Sequence, residues 1–485
     1  MITPTLEEAR RLAPGHTVVP VAMELFSDMK TSVEILRTLR ARSSRYYILE
    51  SVKSSDSWGR YSFLGYDPTL TVTGADGTVT VRNGAAETRA EDPVKVLRET
   101  LARYKSPRIP GLPPFTGGFV GYLSYEFMQC FEPSLRLRAR NNEGLADFHL
   151  MLMDKVIAFD HYRQKIFLIV NVPVEDLESG YIRGVTTLKD MERVMLAHTP
   201  AESGPAPRCG EFTPAFSKDR FCAMVERVKE HIREGDIFQA VLSNRFTAPF
   251  SGDLLETYRV LRTTNPSPYM VYMHLDDLEI AAAAPETLIS LRNGVLSTYP
   301  LAGTCPRGET EEEDARLASA LLRDEKELAE HDMLVDLGRN DLGKVSVFGT
   351  VKVEEYRAVK RFSHVSHIAS KVTGRLREDM DAVDALGATL PAGTLSGAPK
   401  KRACEIIDGL EGVRRGVYGG AMGYIDFAGN MDMCIGIRMA VLKDSKVLVQ
   451  SGAGIVADSV PAREHREIMN KARAIMDALT NNCEV

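Results

Sequence analysis

The way the apolar runs are joined constrains this chain most. Strand-like runs at 270–274, 278–283 and 288–299 follow one another across short turns, as do runs at 416–427, 432–442 and 446–452. Parallel strands need a crossover of roughly a dozen residues or more, usually a helix, and these gaps hold none. Earlier in the chain, Tyr46–Ser51, Tyr61–Leu64 and Leu70–Val81 read as strands, with turn dipeptides at Asp76-Gly77 and Asn83-Gly84. Residues 149–172 read as a hairpin around Asp160–Gln164, and 117–126 as a Gly-bearing strand. The pattern predicts an α+β fold, with antiparallel sheets and helices packed outside, rather than a doubly wound parallel sheet.

Helical spacing marks 31–42, 92–104, Lys218–Arg233 (ending at Gly235), 312–338, 382–388, 400–410 and 461–480. A Pro- and Gly-bearing linker at 199–212 separates an N-terminal region, 1–198, from 213–480, where most of the chemistry-bearing motifs fall.

The net charge of −6 over 485 residues gives no basic surface for nucleic acid, so an anionic ligand must be met by local Arg, Lys or metal. The seven cysteines are odd in number and none forms C-x-x-C, which argues against disulfides or zinc and for a reducing cytoplasm. The first residues lack the apolar core of a signal peptide, and no run is long enough to span a membrane.

Two carboxylate pairs stand out. Glu327 and Glu330 are three residues apart in E-L-A-E-H-D-M-L-V-D-L-G-R-N, and Glu464 and Glu467 repeat the spacing in R-E-H-R-E-I-M-N-K-A. Each pair shares a helix face. Convergence of the two would make an all-oxygen site for a hard divalent cation. Magnesium needs only one or two protein carboxylates, so the four need not all bind directly. Each pair also has an ordinary reading. Glu327 fits a capping-box position behind Asp324, and Glu464 and Glu467 fit a solvated face opposite Ile468, Ala472 and Ile475.

Four further stretches invite a ligand. Tyr299–Gly308 reads as a turn in which Gly303 permits close backbone approach and Thr304 offers a hydroxyl. Gly397-Ala398-Pro399 opens a helix, a geometry able to meet an anion. Arg438 lies in a run too apolar to alternate, and a buried guanidinium calls for a carboxylate. Gly452–Gly454 reads as a turn with its N–H groups free, and Lys471 follows Glu467 by one helical turn. His367 alone reads as structural.

Taken together and in order, G-D-I-F-Q-A-V-L-S, A-A-P-E, P-L-A-G-T-C-P-R-G, A-E-H-D-M-L-V-D-L-G-R-N-D-L-G, L-P-A-G-T-L-S-G-A-P-K, G-A-M-G-Y and G-A-G-I-V-A-D-S resemble the motifs of the chorismate-utilising enzymes. Among them, the chain is most similar to the anthranilate synthase component I family. The resemblance implies a large two-sheet antiparallel β-sandwich with helices outside. It implies Mg²⁺ bridging the ring carboxylate of chorismate and the protein, with Glu330 and Glu467 as principal ligands and Glu327 and Glu464 as companions. Gly303, Thr304, Tyr418, Arg438, Gly452, Ala453, Gly454 and Lys471 match substrate-binding positions. Glu286 matches the acid that protonates the departing C4 hydroxyl, and His367 matches the family's catalytic histidine.

Two positions separate the relatives. Gln239 stands where water-activating members carry Lys, and Ala302 where many aminodeoxychorismate synthases carry a covalent Lys. Both point to ammonia as nucleophile and anthranilate as product, with the aminodeoxychorismate-forming subunit as the alternative. No G-x-C-x-G nucleophile elbow is present, so the resemblance implies a glutamine amidotransferase partner supplying ammonia, in an assembly of two large and two small subunits. I-L-E-S and N-P-S-P-Y-M match the family's feedback site for tryptophan, which places Glu50, Ser51, Pro268, Tyr269 and Met270 there.

Overall fold

A computed structural model describes residues 2–51, 59–197, 207–361 and 365–480. Two large sheets dominate, one of 14 strands and one of 12 among the described residues. Neighbouring strands run antiparallel, as in the hairpin Lys155–Asp160/Lys165–Pro173 and the pair Tyr269–Leu275/Leu278–Ala284. The α+β sandwich expected from the short turns is the architecture found.

The main core lies between the sheets, and it draws Tyr47, Phe119, Met273, Ile280, Met433 and Val441 into one cluster. A second cluster covers the outer face of the larger sheet, where helices Ser32–Arg40, Leu177–Leu196, Leu255–Thr264 and Pro461–Thr480 pack. Central strands are therefore buried on both faces. In Tyr269–Leu275, Val271, Met273 and Leu275 enter the inner core while Met270 and Tyr272 enter the outer one. The period of two survives in direction, but both faces are apolar, which is why these strands read as unbroken apolar runs.

Residues 1–198 and 213–480 do not form separate sheets. Arg45–Glu50 pairs with Tyr269–Leu275 in the larger sheet, and Gly118–Leu123 pairs with Ala421–Asp426 in the smaller. Residues 199–206 of the linker lie outside the described residues; within its end, Arg208–Cys209 pairs with the strand Gln239–Ser251.

Several expected elements divide or change. The helix expected over 312–338 is two, Glu311–Leu321 and Glu325–Gly343, the second restarted by Asp324, whose side chain accepts from the N–H of Lys326 and Glu327. The strand expected over 432–442 is Met431–Ile435 and Met439–Lys443, the first in the smaller sheet and the second in the larger. Its neighbours Leu278–Ala284 and Thr287–Arg292 cross between the sheets at the same place. Leu301–Pro306 is a strand rather than a turn. Gly452–Gly454 lies inside the strand Lys446–Ile455. The helix Leu177–Leu196 and the strand pair Lys352–Arg361/Val365–Arg375 were not anticipated. No helix of the described residues is long and apolar enough to cross a membrane.

Candidate active site

The site is built where the two paired strands change sheets. Ala282 pairs with Met439 in the larger sheet and Thr287 with Cys434 in the smaller. Between those rungs the chain turns twice, and the two turns carry Glu286 and Arg438. Bonds from Ala283 N to Arg438 O (3.0 Å) and from Ile435 N to Glu286 O (3.0 Å) tie the turns together. Arg438 adopts φ +49°, outside the usual range for a residue with a Cβ. It is therefore held in a bend and is not part of a strand. Its side chain is accessible, and no carboxylate among the described residues lies within ion-pair distance. The protein around it still lowers its pKa by desolvation, opposed by the charge of Glu286.

Glu286 has one close hydroxyl donor, Thr394 Oγ1, at 3.1 Å. Desolvation raises its carboxyl to about 7, against the smaller pull of Thr394, Arg438 and Lys471. A carboxyl poised there can give up a proton near neutral pH.

The glutamates gather beside this corner. On helix Glu325–Gly343, Glu327 turns toward the strand Leu301–Pro306: its Oε2 would lie 3.2 Å from a Cβ on Gly303, and the Thr304 N–H donates to it. Asp324 is the N-cap, as read, but Glu327 does not complete a capping box with it. Glu330 is raised mainly by burial, then by the charges of Glu327 and Glu467, with Lys471 opposing. Glu327 and Glu464 are raised for the same leading reason and also feel Glu467. The two helices thus aim like charges at one another. No three of the four bring ligand atoms within 4.8 Å of one another, so the two pairs face one another without closing into a ready-made cluster. The donors are all hard oxygens, and they fit magnesium. Among the described residues, the trio that does meet that distance is elsewhere, His231, Glu234 and Asp236, and Asp236 already pairs with Arg402 at 2.9 Å.

Lys471 joins the helix to the sheet, with Nζ 2.6 Å from Glu467 Oε1 and donating to Gly452 O at 3.0 Å. The strand carrying Gly452, Ala453 and Gly454 pairs with Gln239–Ser251 through Ile455, but on its other edge with Met439–Lys443 only as far as Val449. Residues 450–455 therefore present an unpaired backbone edge toward the corner. Side chains there would be obstructive. A Cβ on Gly452 would lie 2.8 Å from the Tyr418 hydroxyl, and one on Gly454 would collide with Gln239 Nε2. The expected free backbone is present, at a strand edge instead of a turn.

Gly303 has φ +68° at a register shift in the pairing with Val365–Arg375, so a glycine is required. The shift sets Thr304 opposite His367, with Oγ1 3.0 Å from Nδ1, and Nδ1 3.1 Å from Gly303 O. A carbonyl can only accept, so Nδ1 carries a proton.

Sequence reasoning missed the support beneath the site. Arg415 and Glu411 form a buried pair at 2.6 Å; Arg415 also donates to Leu395 O and Val241 O and lies under the Tyr125 and Tyr418 rings. Glu126 accepts from Arg415 N and Gly416 N. Two adjacent arginines give no local signal of burial, yet Arg415 is 2% exposed. Lys400, beside the expected anion site at 397–399, is half-buried and bonded to Asp341 at 2.7 Å.

A cavity of about 420 Å³ opens between the sheets. Its lining includes Glu50, Ser51, Pro268, Tyr269 and Met270, the five residues expected together, and also Arg292 and Asp432. Glu50 is 6% exposed and saturated with donors: Ser32 and Ser62 hydroxyls at 2.7 and 3.0 Å, Tyr258 at 2.6 Å, and Arg262 at 2.8 Å. Ser51 Oγ is buried without a partner among the described residues.

The chain is similar to known proteins along its length. A family model described as chorismate binding enzyme matches residues 46–477. Anthranilate synthase component 1 of Acetivibrio thermocellus is 43% identical over 495 aligned positions, covering 100% of both chains. That of Aquifex aeolicus is 42% identical over 490, covering 98% of this chain and 97% of its own. The crystal structure of anthranilate synthase component I from Streptococcus pneumoniae superposes with TM-score 0.79 at 36% identity, over 93% of this chain and 98% of that one. The menaquinone-specific isochorismate synthase of Escherichia coli shares the fold, with TM-score 0.70 at 19% identity over 98% of this chain and 99% of that one. The chain belongs to the chorismate-binding enzyme family, and within it to the anthranilate synthase component I group.

Proposed function

We propose that this chain aminates chorismate with ammonia and eliminates pyruvate to give anthranilate, the first step of tryptophan biosynthesis, in the cytoplasm. The observation that carries the reading is the Glu286 carboxyl, raised to about 7, at a corner shared with the accessible Arg438 and flanked by repelling glutamates.

Arg438 and the Tyr418 hydroxyl are suited to a carboxylate of the substrate, and the Gly452–Gly454 edge offers N–H groups without side chains in the way. Ammonia forms the C2–N bond, the ring double bonds shift, and the C4–O bond breaks. Hydroxide leaves poorly, so Glu286 protonates it and water departs. Gln239, a neutral amide, cannot deprotonate water and leaves ammonia as the nucleophile. His367 then removes the C2 proton as the C3–O bond breaks, and the departing enolate takes up a proton to become pyruvate. Glu330 and Glu467, with Glu327 and Glu464, would hold Mg²⁺, which when bound supplies Lewis-acid withdrawal through the ring carboxylate.

Ammonia is delivered by a glutamine amidotransferase subunit, in an assembly of two large and two small chains. Tryptophan inhibits by binding the 420 Å³ cavity, a volume normal for a small-molecule site. Purified chain with chorismate, Mg²⁺ and ammonium salt is expected to form fluorescent anthranilate without a partner. No product would overturn the reading, and para-aminobenzoate-type product would assign it to the aminodeoxychorismate branch.

A further inference from the structure

The Tyr269 side chain stands between the cavity and the active corner. It lines the cavity, and its hydroxyl lies 2.7 Å from Asp432 Oδ1 and 3.1 Å from Thr287 Oγ1. A phenol has one proton and a carboxylate only accepts, so Tyr269 donates to Asp432 and the Thr287 hydroxyl donates to Tyr269. Arg292, also on the cavity wall, holds the other Asp432 oxygen at 2.8 Å.

These bonds join the two sheets. Tyr269 belongs to the larger one, and Thr287 and Asp432 to the smaller. Along the backbone, Tyr269 also pairs with Ala284. One residue therefore fixes both ends of the turn Pro285–Glu286: Ala284 through the ladder and Thr287 through its hydroxyl. The other support of Thr287 is weakened, because its pairing with Met431–Ile435 shifts register between Thr287 and Ile289. Thr287 and Asp432 are 6% and 8% exposed, so neither bond competes freely with water.

We infer that the Tyr269–Thr287–Asp432 triad is a positioning device that sets the turn bearing Glu286 and transmits occupancy of the cavity to it. A ligand pressing on the Tyr269 ring cannot move its hydroxyl without moving Thr287, the residue next to Glu286. The inference rests on the cavity being the tryptophan site, and it adds the route by which binding is felt at the acid.

The test separates binding from inhibition in the full chain. Tryptophan binding is measured by calorimetry, and inhibition by anthranilate formation with ammonium salt. Thr287→Val keeps the shape and removes the hydroxyl. It is expected to bind tryptophan within about threefold of wild type while the inhibition it transmits falls about fivefold or more, the low end of ordinary allosteric coupling. Thr287→Ser restores the hydroxyl and is expected to restore inhibition. Wild-type binding and wild-type inhibition in Thr287→Val would overturn the inference and leave the regulatory site standing. Failure of the wild-type chain to bind tryptophan would overturn both. If Thr287→Val does not fold, Asp432→Asn is read by the same split.

Discussion

Glu50 closes a strand and Glu286 sits in a turn between two, and the protein treats these carboxyl groups in opposite ways. Glu50 is met by two serine hydroxyls, a tyrosine and an arginine. Its charge is fully answered, so it serves as a fixed anchor for the wall on which Ser51 sits. Glu286 has a single threonine hydroxyl at hydrogen-bond distance and sits at about 7. The same contrast separates Glu411, bonded to Arg415 and Ser243, from Glu330, raised by burial and by its glutamate neighbours. The carboxylates that hold structure are surrounded by donors; those to which the proposed function gives a proton or an ion are left short of them.

The strongest way to break this comparison is Glu330→Gln. Activity with chorismate, Mg²⁺ and ammonium is expected to fall on the order of a thousandfold, the effect of losing several kcal/mol of metal-derived stabilisation. Without Mg²⁺ the same variant should melt above wild type, because a repelling charge is gone; a lower melting temperature would show that Glu330 is structural.

Glu286→Gln is expected to lower kcat by about 10²- to 10³-fold, the range of a lost general acid. In wild type, kcat should decline as pH rises through about 7, where Glu286 loses its proton. The folded carboxyl keeps that proton above the usual carboxylate range and the unfolded one does not. Metal-free stability should therefore fall with rising pH up to about 7, and Glu286→Gln should flatten part of that slope in denaturant titrations.

Glu50→Gln tests the other member. It leaves buried donors without a charged acceptor and is expected to cost about 2 kcal/mol in urea unfolding. Stability equal to wild type would remove the anchor role. The smallest effect is expected from Ser51→Phe, which intrudes on the cavity and should raise the tryptophan concentration for half-inhibition about tenfold, or 1.4 kcal/mol. An unchanged inhibition curve would detach Ser51 from the site.

Much of the fold was legible because turn length limits topology. Asp76-Gly77 closes a hairpin as read, Lys218–Arg233 ends before Gly235, and Lys446 follows Met439–Lys443 across a tight turn. The sheet crossings were not legible. A run such as 432–442 is apolar whether it stays in one sheet or passes between two, since both layers bury it. For the same reason Gly452–Gly454 read as a turn, although the missing side chains serve a strand edge facing the site.

Residue chemistry and local periodicity set the carboxylate pairs on helix faces, the antiparallel connectivity and the motifs that mark the family. Those properties depend on neighbours within a few residues. Only the tertiary structure decided that Glu330 faces Glu467 across two helices, that Glu286 and Arg438 share one corner, and that Tyr269 reaches both the cavity and Thr287. Such relations arise when strands far apart in sequence pair and two sheets close on one core, and no local pattern encodes the distance between their ends.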